Sequence, residues 1–285
     1  MRDAVAMGPS GEGDWTLTRR WHSGDGEVAY DILGDGPAVV LVHGTPSSSY
    51  LWRHVARALA ENLRVHVFDL LGYGASDKHA DQDVSLEAQT RVLCGLLDHW
   101  ELDRPFIAGH DFGGTITLRA HLLAERDFTK IALLDPVALA PWWTPFFALV
   151  RDNARVFQQI PASIHEAIVV RYLRGAFNRV MTDEQLAPYA APWLGEAGQF
   201  AFYRQIEQAD QRYTDDVEPL YDRMRAPVRI VWGKQDGWLP VAQAEQLRQR
   251  IPGAELRLIE DAGHFLQEDA PDDVSATLKQ FFQTR

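Results

Sequence analysis

The stretch GHDFGG, residues 109–114, follows the apolar run PFIA and opens a helix-forming segment. A tight turn of the form small-x-nucleophile-x-Gly between a strand and a helix usually carries serine. Here the middle position is Asp111. A serine alkoxide suits attack on an acyl carbon. A carboxylate instead displaces a leaving group from an sp³ carbon and leaves an alkyl ester on the protein. Such an ester must then be hydrolysed, which calls for a base and a group to orient it. His264, in EDAGHFLQE, is the candidate base, and Asp236, in GKQDGWLP, the candidate acid that orients the imidazole and stabilises its cation. Asp135, in LLDPV, also ends an apolar run and is the alternative acid. A lone Asp at a strand end is usually a cap or simply solvated. The Gly-rich turn and the order Asp111, Asp236, His264 set this trio apart.

The elements that must position them recur along the chain. Apolar runs of strand length occupy 37–44, 64–72, 105–111, 130–137, 227–236 and 254–264. Near-continuous Val/Ile/Leu runs fit strands of a parallel sheet buried on both faces. Each chemistry-bearing residue falls at the C-terminal end of such a run, where open α/β sheets place their sites. Helical patterns lie between the runs. In SLEAQTRVLCGLLDHW, Ser85 is placed to cap, and Leu86, Leu93, Leu96, Leu97 and Trp100 form one apolar stripe. Ahead of them, TLTRRWHS and GEVAYDILGDG read as an antiparallel pair at the sheet edge. The alternation stops after Val137. Residues 139–222 lack strand runs and are rich in aromatics and helix formers, which reads as a helical cap inserted in a core made of 14–138 and 223–285. Residues 1–13 read as a loose tail.

Composition narrows the function classes. With 285 residues, 46% of them hydrophobic, the chain is long enough for one large α/β domain with an insertion. A net charge of −12 without a basic run argues against nucleic acid or an anionic membrane as partner. No apolar stretch approaches the roughly 18 residues of a membrane span, and the N-terminus has no signal-like core, so a cytoplasmic protein is expected. The single cysteine, Cys94, lies on the apolar face of its helix and reads as an inert thiol. GYGAS, 72–76, lacks the spacing of a phosphate loop and reads as a tight turn. No clustered His, Cys and Asp have metal-ligand spacing, so neither metal nor cofactor is expected. The expected partner is a small-molecule substrate, and the assembly a monomer or homodimer.

Taken together, HGTPSSSYLWR (43–53), DLLGYGASDK (69–78), GHDFGG and GHFLQEDAP (263–271) make the chain resemble the α/β-hydrolase superfamily over nearly its whole length. Within it, the chain looks like the Asp-nucleophile branch of epoxide hydrolases and haloalkane dehalogenases. The resemblance implies a mostly parallel eight-stranded sheet flanked by helices. It also implies an oxyanion hole from the backbone N–H groups of Thr45 and Phe112, with His43 bracing that loop and His110 in a packing role. Asp236 occupies the commoner acid position of the family and Asp135 the one some dehalogenases use. Dehalogenases hold halide with a Trp after the nucleophile, plus an Asn in the loop that here reads HGTP or a Trp of the cap; this chain has Phe112 and Thr45 at the first two places. Epoxide opening instead takes donors from the lid, and the insertion offers Tyr172, Tyr189, Tyr203 and Tyr213. Trp142, Trp143 and Tyr203 are the favoured contacts, Tyr203 because Phe200 and Ile206 at i±3 place it on an inward face. The expected function is therefore opening of a bulky apolar epoxide to a diol. Haloalkane dehalogenation is the alternative, and a non-catalytic ligand-binding protein of the same fold is the alternative from another class.

Overall fold

Along one apolar run, Val39 and Leu41 pack on one side of the sheet and Val40 and Val42 on the other, all fully buried. This period-two split is what makes a strand of the run. The computed structural model describes residues 15–283; the tail expected over 1–13 lies outside the described residues. The strands are β1 (Arg19–His22), β2 (Glu27–Leu33), β3 (Ala38–Val42), β4 (Arg64–Phe68), β5 (Phe106–His110), β6 (Lys130–Leu134), β7 (Val228–Gly233) and β8 (Glu255–Ile259). They form one eight-stranded sheet in the order β1-β2-β4-β3-β5-β6-β7-β8. β1 pairs antiparallel with β2, as the two edge segments anticipate, β2 pairs antiparallel with β4, and all other pairs are parallel.

Helices α1 (Arg53–Leu59), α2 (Leu86–His99) and α3 (Phe112–Leu122) cross between successive strands up to β6. Between β6 and β7 the chain contains α4 (Pro145–Asp152), α5 (Ala154–Phe157), α6 (Ala162–Arg174), α7 (Asp183–Ala190), α8 (Gly195–Glu207) and α9 (Arg212–Asp215), and no strand. α10 (Ala242–Arg250) joins β7 to β8, and α11 (Leu266–Asp269) and α12 (Pro271–Gln283) close the chain. α1 packs against α12, and α2 against α3. The Ser85 side chain caps α2 by accepting the Ala88 N–H at 3.2 Å. Leu86, Leu93, Leu96 and Leu97 of its stripe are buried, each contributing about 2 kcal/mol by leaving water. Cys94 is half-buried, and burial pushes its thiol up. Among the described residues, no helix is long and apolar enough to cross a membrane.

The inserted helices sit on loops at the C-terminal ends of β3, β4 and β6. Trp193 Nε1 donates to Pro46 O at 2.7 Å, the Val84 N–H donates to Gln208 Oε1 at 2.7 Å, and the Tyr221 hydroxyl donates to Ala138 O at 2.6 Å. A buried ion pair fastens α1 to α11, and α7 joins it through a tyrosine hydroxyl. Arg53 grips Glu268 with two hydrogen bonds, of 2.6 and 3.0 Å, and the Tyr189 hydroxyl donates to the same carboxylate at 2.6 Å.

Candidate active site

Asp111 follows β5 and is the residue from which α3 starts, with φ at +54°. That left-handed backbone strains a non-glycine residue by about 1–3 kcal/mol and lifts its side chain out of the strand-to-helix turn. The turn closes because Gly113 has no side chain: a Cβ there would collide with the carbonyl oxygen of Val42. Gly44 is under the same constraint from the other side, since its Cβ would strike the Asp111 carboxylate and the amide nitrogen of Phe112. The Thr45 N–H donates to Asp111 Oδ1 at 2.7 Å. Thr45 and Phe112 thus bring backbone nitrogens to the same small space beside Asp111. The Thr45–Pro46 peptide is cis. His43 ties this loop down, with Nδ1 donating to Gly44 O at 3.0 Å and Nε2 accepting the Leu70 N–H at 2.9 Å.

His264 is fully buried between two carboxylates. Nδ1 meets Asp236 Oδ2 at 2.9 Å, and Nε2 lies 3.4 Å from Asp111 Oδ2, an electrostatic contact without hydrogen-bond geometry. Burial opposes a charge on this imidazole, but Asp236 and then Asp111 outweigh it, so the ring is held protonated well above its ordinary range. Asp236 is itself fixed: Oδ1 accepts the N–H groups of Trp238 at 2.7 Å and Leu239 at 2.9 Å. Trp238 covers His264, ring centroids 4.9 Å apart. His110 supports it from beneath, its Nε2 donating to the carbonyl of His264 at 2.9 Å. Asp135 is also fully buried, with φ at +36°. One of its oxygens accepts the Gly233 N–H at 2.9 Å, and the other has no partner among the described residues. Burial, then the nearby charge of Asp236, push its carboxyl well above the usual range. Among the described residues, the one trio close enough to share a metal ion is His110, Asp135 and His264, with ligating atoms within 4.8 Å. In that trio, both nitrogens of His264 already face carboxylates.

The structure therefore brings Asp111, His264, Asp236, Thr45 and Phe112 together, and leaves Asp135 off the imidazole nitrogens. It does not bring the favoured lid donors with them. Trp142 Nε1 donates to Thr214 Oγ1 at 3.1 Å, Trp143 Nε1 to Gln211 Oε1 at 3.2 Å, and the Tyr203 hydroxyl bonds His165 Nδ1 at 3.0 Å. All three are held inside the insertion, and Trp142 meets the site only by packing its ring on Phe112, centroids 5.6 Å apart. Of the other lid tyrosines, Tyr189 binds Glu268 and Tyr213 receives a hydrogen bond from Arg212. The Tyr172 hydroxyl alone makes no hydrogen bond among the described residues. Its ring stacks on Trp238 at 4.6 Å, and burial, then the charge on Asp111, push its phenol well up.

Gln205 and Tyr73 escape a reading of the sequence. Gln205 Oε1 accepts from Thr45 Oγ1 at 2.8 Å and from the Tyr73 hydroxyl at 3.0 Å. The one signal for Gln205 is that α8 is buried on every side from Ala201 to Ile206, where a polar side chain needs a reason. A cavity of about 740 Å³ opens between the start of α4, α6 and the loop after β7, lined by Phe146, Ile164, Ile168, Arg171, Tyr172 and Trp238, the last of which packs on His264.

The profile of the alpha/beta hydrolase fold matches residues 37–271. Among solved structures, an alpha/beta hydrolase fold protein from Burkholderia ambifaria is 44% identical, with a TM-score of 0.90, over 93% of this chain and 97% of that one. Haloalkane dehalogenase 2 of Mycobacterium bovis is 27% identical over 92% of this chain and 94% of its own. A cis-3-alkyl-4-alkyloxetan-2-one decarboxylase of Xanthomonas campestris is 26% identical over 90% of this chain and 93% of its own.

Proposed function

The chain belongs to the alpha/beta hydrolase fold family, and from that premise we propose that it opens epoxides to diols through an ester on Asp111. The observation that carries this reading is the carboxylate in the elbow. Asp111 Oδ1 is held by the Thr45 N–H at 2.7 Å, and Oδ2 faces His264 at 3.4 Å.

In the first step an Asp111 oxygen bonds to a ring carbon, the ring C–O bond breaks, and its electron pair passes to oxygen. The alkoxide takes a proton from the Tyr172 hydroxyl. Alkylation removes the Asp111 charge, one of the causes that raise this phenol and hold His264 protonated. The phenol becomes a better acid and the imidazolium a readier donor as the alkoxide forms. The proton on His264 then restores Tyr172 and leaves the imidazole neutral. In the second step neutral His264 takes a proton from water, whose oxygen attacks the ester carbonyl. The Thr45 and Phe112 N–H groups stabilise the resulting oxyanion. Collapse releases the diol, whose oxygen takes one of the water protons. The other returns His264 to imidazolium beside the freed Asp111 carboxylate. The sum is epoxide plus water to diol.

The leaving atom decides between epoxide and halide. A halide departs as a stable anion and needs only N–H contacts, whereas an alkoxide must gain a proton. The free hydroxyl of Tyr172 suits the second, and Phe112, beside the nucleophile, has no side-chain donor for the first. The second reading, halide release by the same ester, draws on the relative named haloalkane dehalogenase. The apolar lining of the cavity supports a bulky apolar substrate. A parallel assay of aryl epoxides and 1-haloalkanes tests the choice. Diol formation with little halide release is expected; bromide release alongside untouched epoxides would overturn it.

A further inference from the structure

We propose that the side-chain amide of Gln205 donates to the leaving oxygen, working beside the hydroxyl of Tyr172; the inference rests on the epoxide reading above. Gln205 is 2% exposed and sits on α8, directly over the loop that holds the nucleophile. Its Oε1 accepts from Thr45 Oγ1 at 2.8 Å and from the Tyr73 hydroxyl at 3.0 Å. The two hydroxyls are also within hydrogen-bond reach of each other. With Oε1 accepting from both hydroxyls, Nε2 lies at the other end of the amide. Nε2 is buried and has no partner among the described residues. Folded proteins seldom leave a buried amide unpaired, and one that is left so calls for an explanation, such as a ligand or a reacting group that it meets.

The location says what it is kept for. The same Thr45 that donates its hydroxyl to Gln205 donates its backbone N–H to Asp111 Oδ1 at 2.7 Å. Tyr73, the second anchor, is close enough to Asp111 for that charge to help raise its phenol. Gln205 is thus clamped at both of its acceptor contacts to groups that surround the nucleophile. Its two amide hydrogens are buried close to these groups and without a partner among the described residues. In the alkylation step Gln205 keeps its protons: it hydrogen-bonds the oxygen that receives the ring electron pair, and the proton itself comes from Tyr172.

Gln205→Glu and Gln205→Leu test the proposal, with alkylation followed by stopped-flow or quenched single turnovers on an aryl epoxide. Glu keeps an acceptor for both hydroxyls and loses the N–H2; Leu loses everything. Both variants should alkylate about 10²–10³-fold more slowly, the usual effect of losing one donor to developing charge. Hydrolysis of the preformed ester should stay within about threefold, because that step places its charge on the ester carbonyl at Thr45 and Phe112. Unchanged alkylation in Gln205→Glu overturns the proposal. So does an equal slowing of both steps with a matching fall in melting temperature, which would mark a packing role. If Gln205→Leu does not fold, Gln205→Glu alone decides. A wild-type rate of adduct formation in the Gln205 variants sinks only this inference. Absence of any adduct in a His264→Gln enzyme, with its Gln205 intact, sinks the epoxide reading itself.

Discussion

Replacing Asp236 with Asn changes one oxygen to an NH2 group in the most constrained part of the site. Asp236 Oδ1 accepts two backbone N–H groups at 2.7 and 2.9 Å, from Trp238 and Leu239. An Asn there must keep its oxygen toward those two donors, since its own NH2 would face them donor to donor. The NH2 therefore turns to His264 Nδ1, at the position where Asp236 Oδ2 now sits 2.9 Å away. His264 must answer with a lone pair at Nδ1, which moves its proton to Nε2, the nitrogen facing Asp111. Nε2 then has no lone pair to accept a proton from water, and the charge that stabilised the imidazolium is gone. Because both side chains are fully buried, water cannot repair the pair. The same exchange in a triad elsewhere lowers turnover by about 10⁴, or ~5.4 kcal/mol of barrier. We expect that size of loss here, confined to ester hydrolysis, so the alkyl-enzyme should accumulate and be visible by intact mass. Asp135→Asn is the control. Its one hydrogen bond, from the Gly233 N–H, survives in the amide oxygen, and burial already disfavours a charge on the carboxyl it replaces. Turnover should stay within about tenfold, under ~1.4 kcal/mol. If Asp135→Asn is the more damaged enzyme, the acid lies after β6 and the reasoning fails.

Two further predictions concern the lid and the fastening beneath it. Tyr172→Phe should slow alkylation about 10²-fold, whereas Tyr203→Phe, whose hydroxyl belongs to His165, should leave that step nearly unchanged in the same single-turnover assay. Glu268→Gln should lower stability by about 3 kcal/mol, because the buried Arg53 loses its carboxylate, and this is readable as a drop in urea midpoint. That stability also has a pH signature. Burial raises the Glu268 carboxyl, but Arg53 outweighs burial and holds it below its ordinary value. Its contribution is complete above the unfolded-chain pKa of about 4.3 and is lost as pH falls through the lower folded value. Melting curves of the wild type should fall more steeply below about pH 4 than those of Glu268→Gln; parallel curves would refute the assignment.

The parts legible in the sequence are those set by local pattern. Uninterrupted Val/Ile runs such as 37–44 and 130–137 became β3 and β6 because both faces of the sheet are covered. Each run was longer than its strand at the C-terminal end: 64–72 against Arg64–Phe68, and 227–236 against Val228–Gly233. The excess residues, among them Asp69 and Asp236, leave the sheet to build the site loops, so the boundary error falls where the chemistry is. That Asp111, His264 and Asp236 come together could be anticipated because each follows its own strand. The lid donors could not, because their partners lie far away in sequence. Whether an indole N–H faces substrate or Thr214 depends on tertiary packing that no periodicity carries. Spacing from Phe200 and Ile206 assigned Tyr203 an inward face, but α8 is buried around most of its circumference and has several inward faces. One of them carries Tyr203 to His165, and another carries Gln205 to Thr45.

The covalent ester on Asp111 is the step on which the mechanism depends. A His264→Gln enzyme mixed with an aryl epoxide should gain the full mass of the substrate within the alkylation time, and peptide mapping should place it on Asp111. Hydrolysis should be too slow to clear it. An unmodified protein that still turns over epoxide, or an adduct on any other residue, would contradict the account.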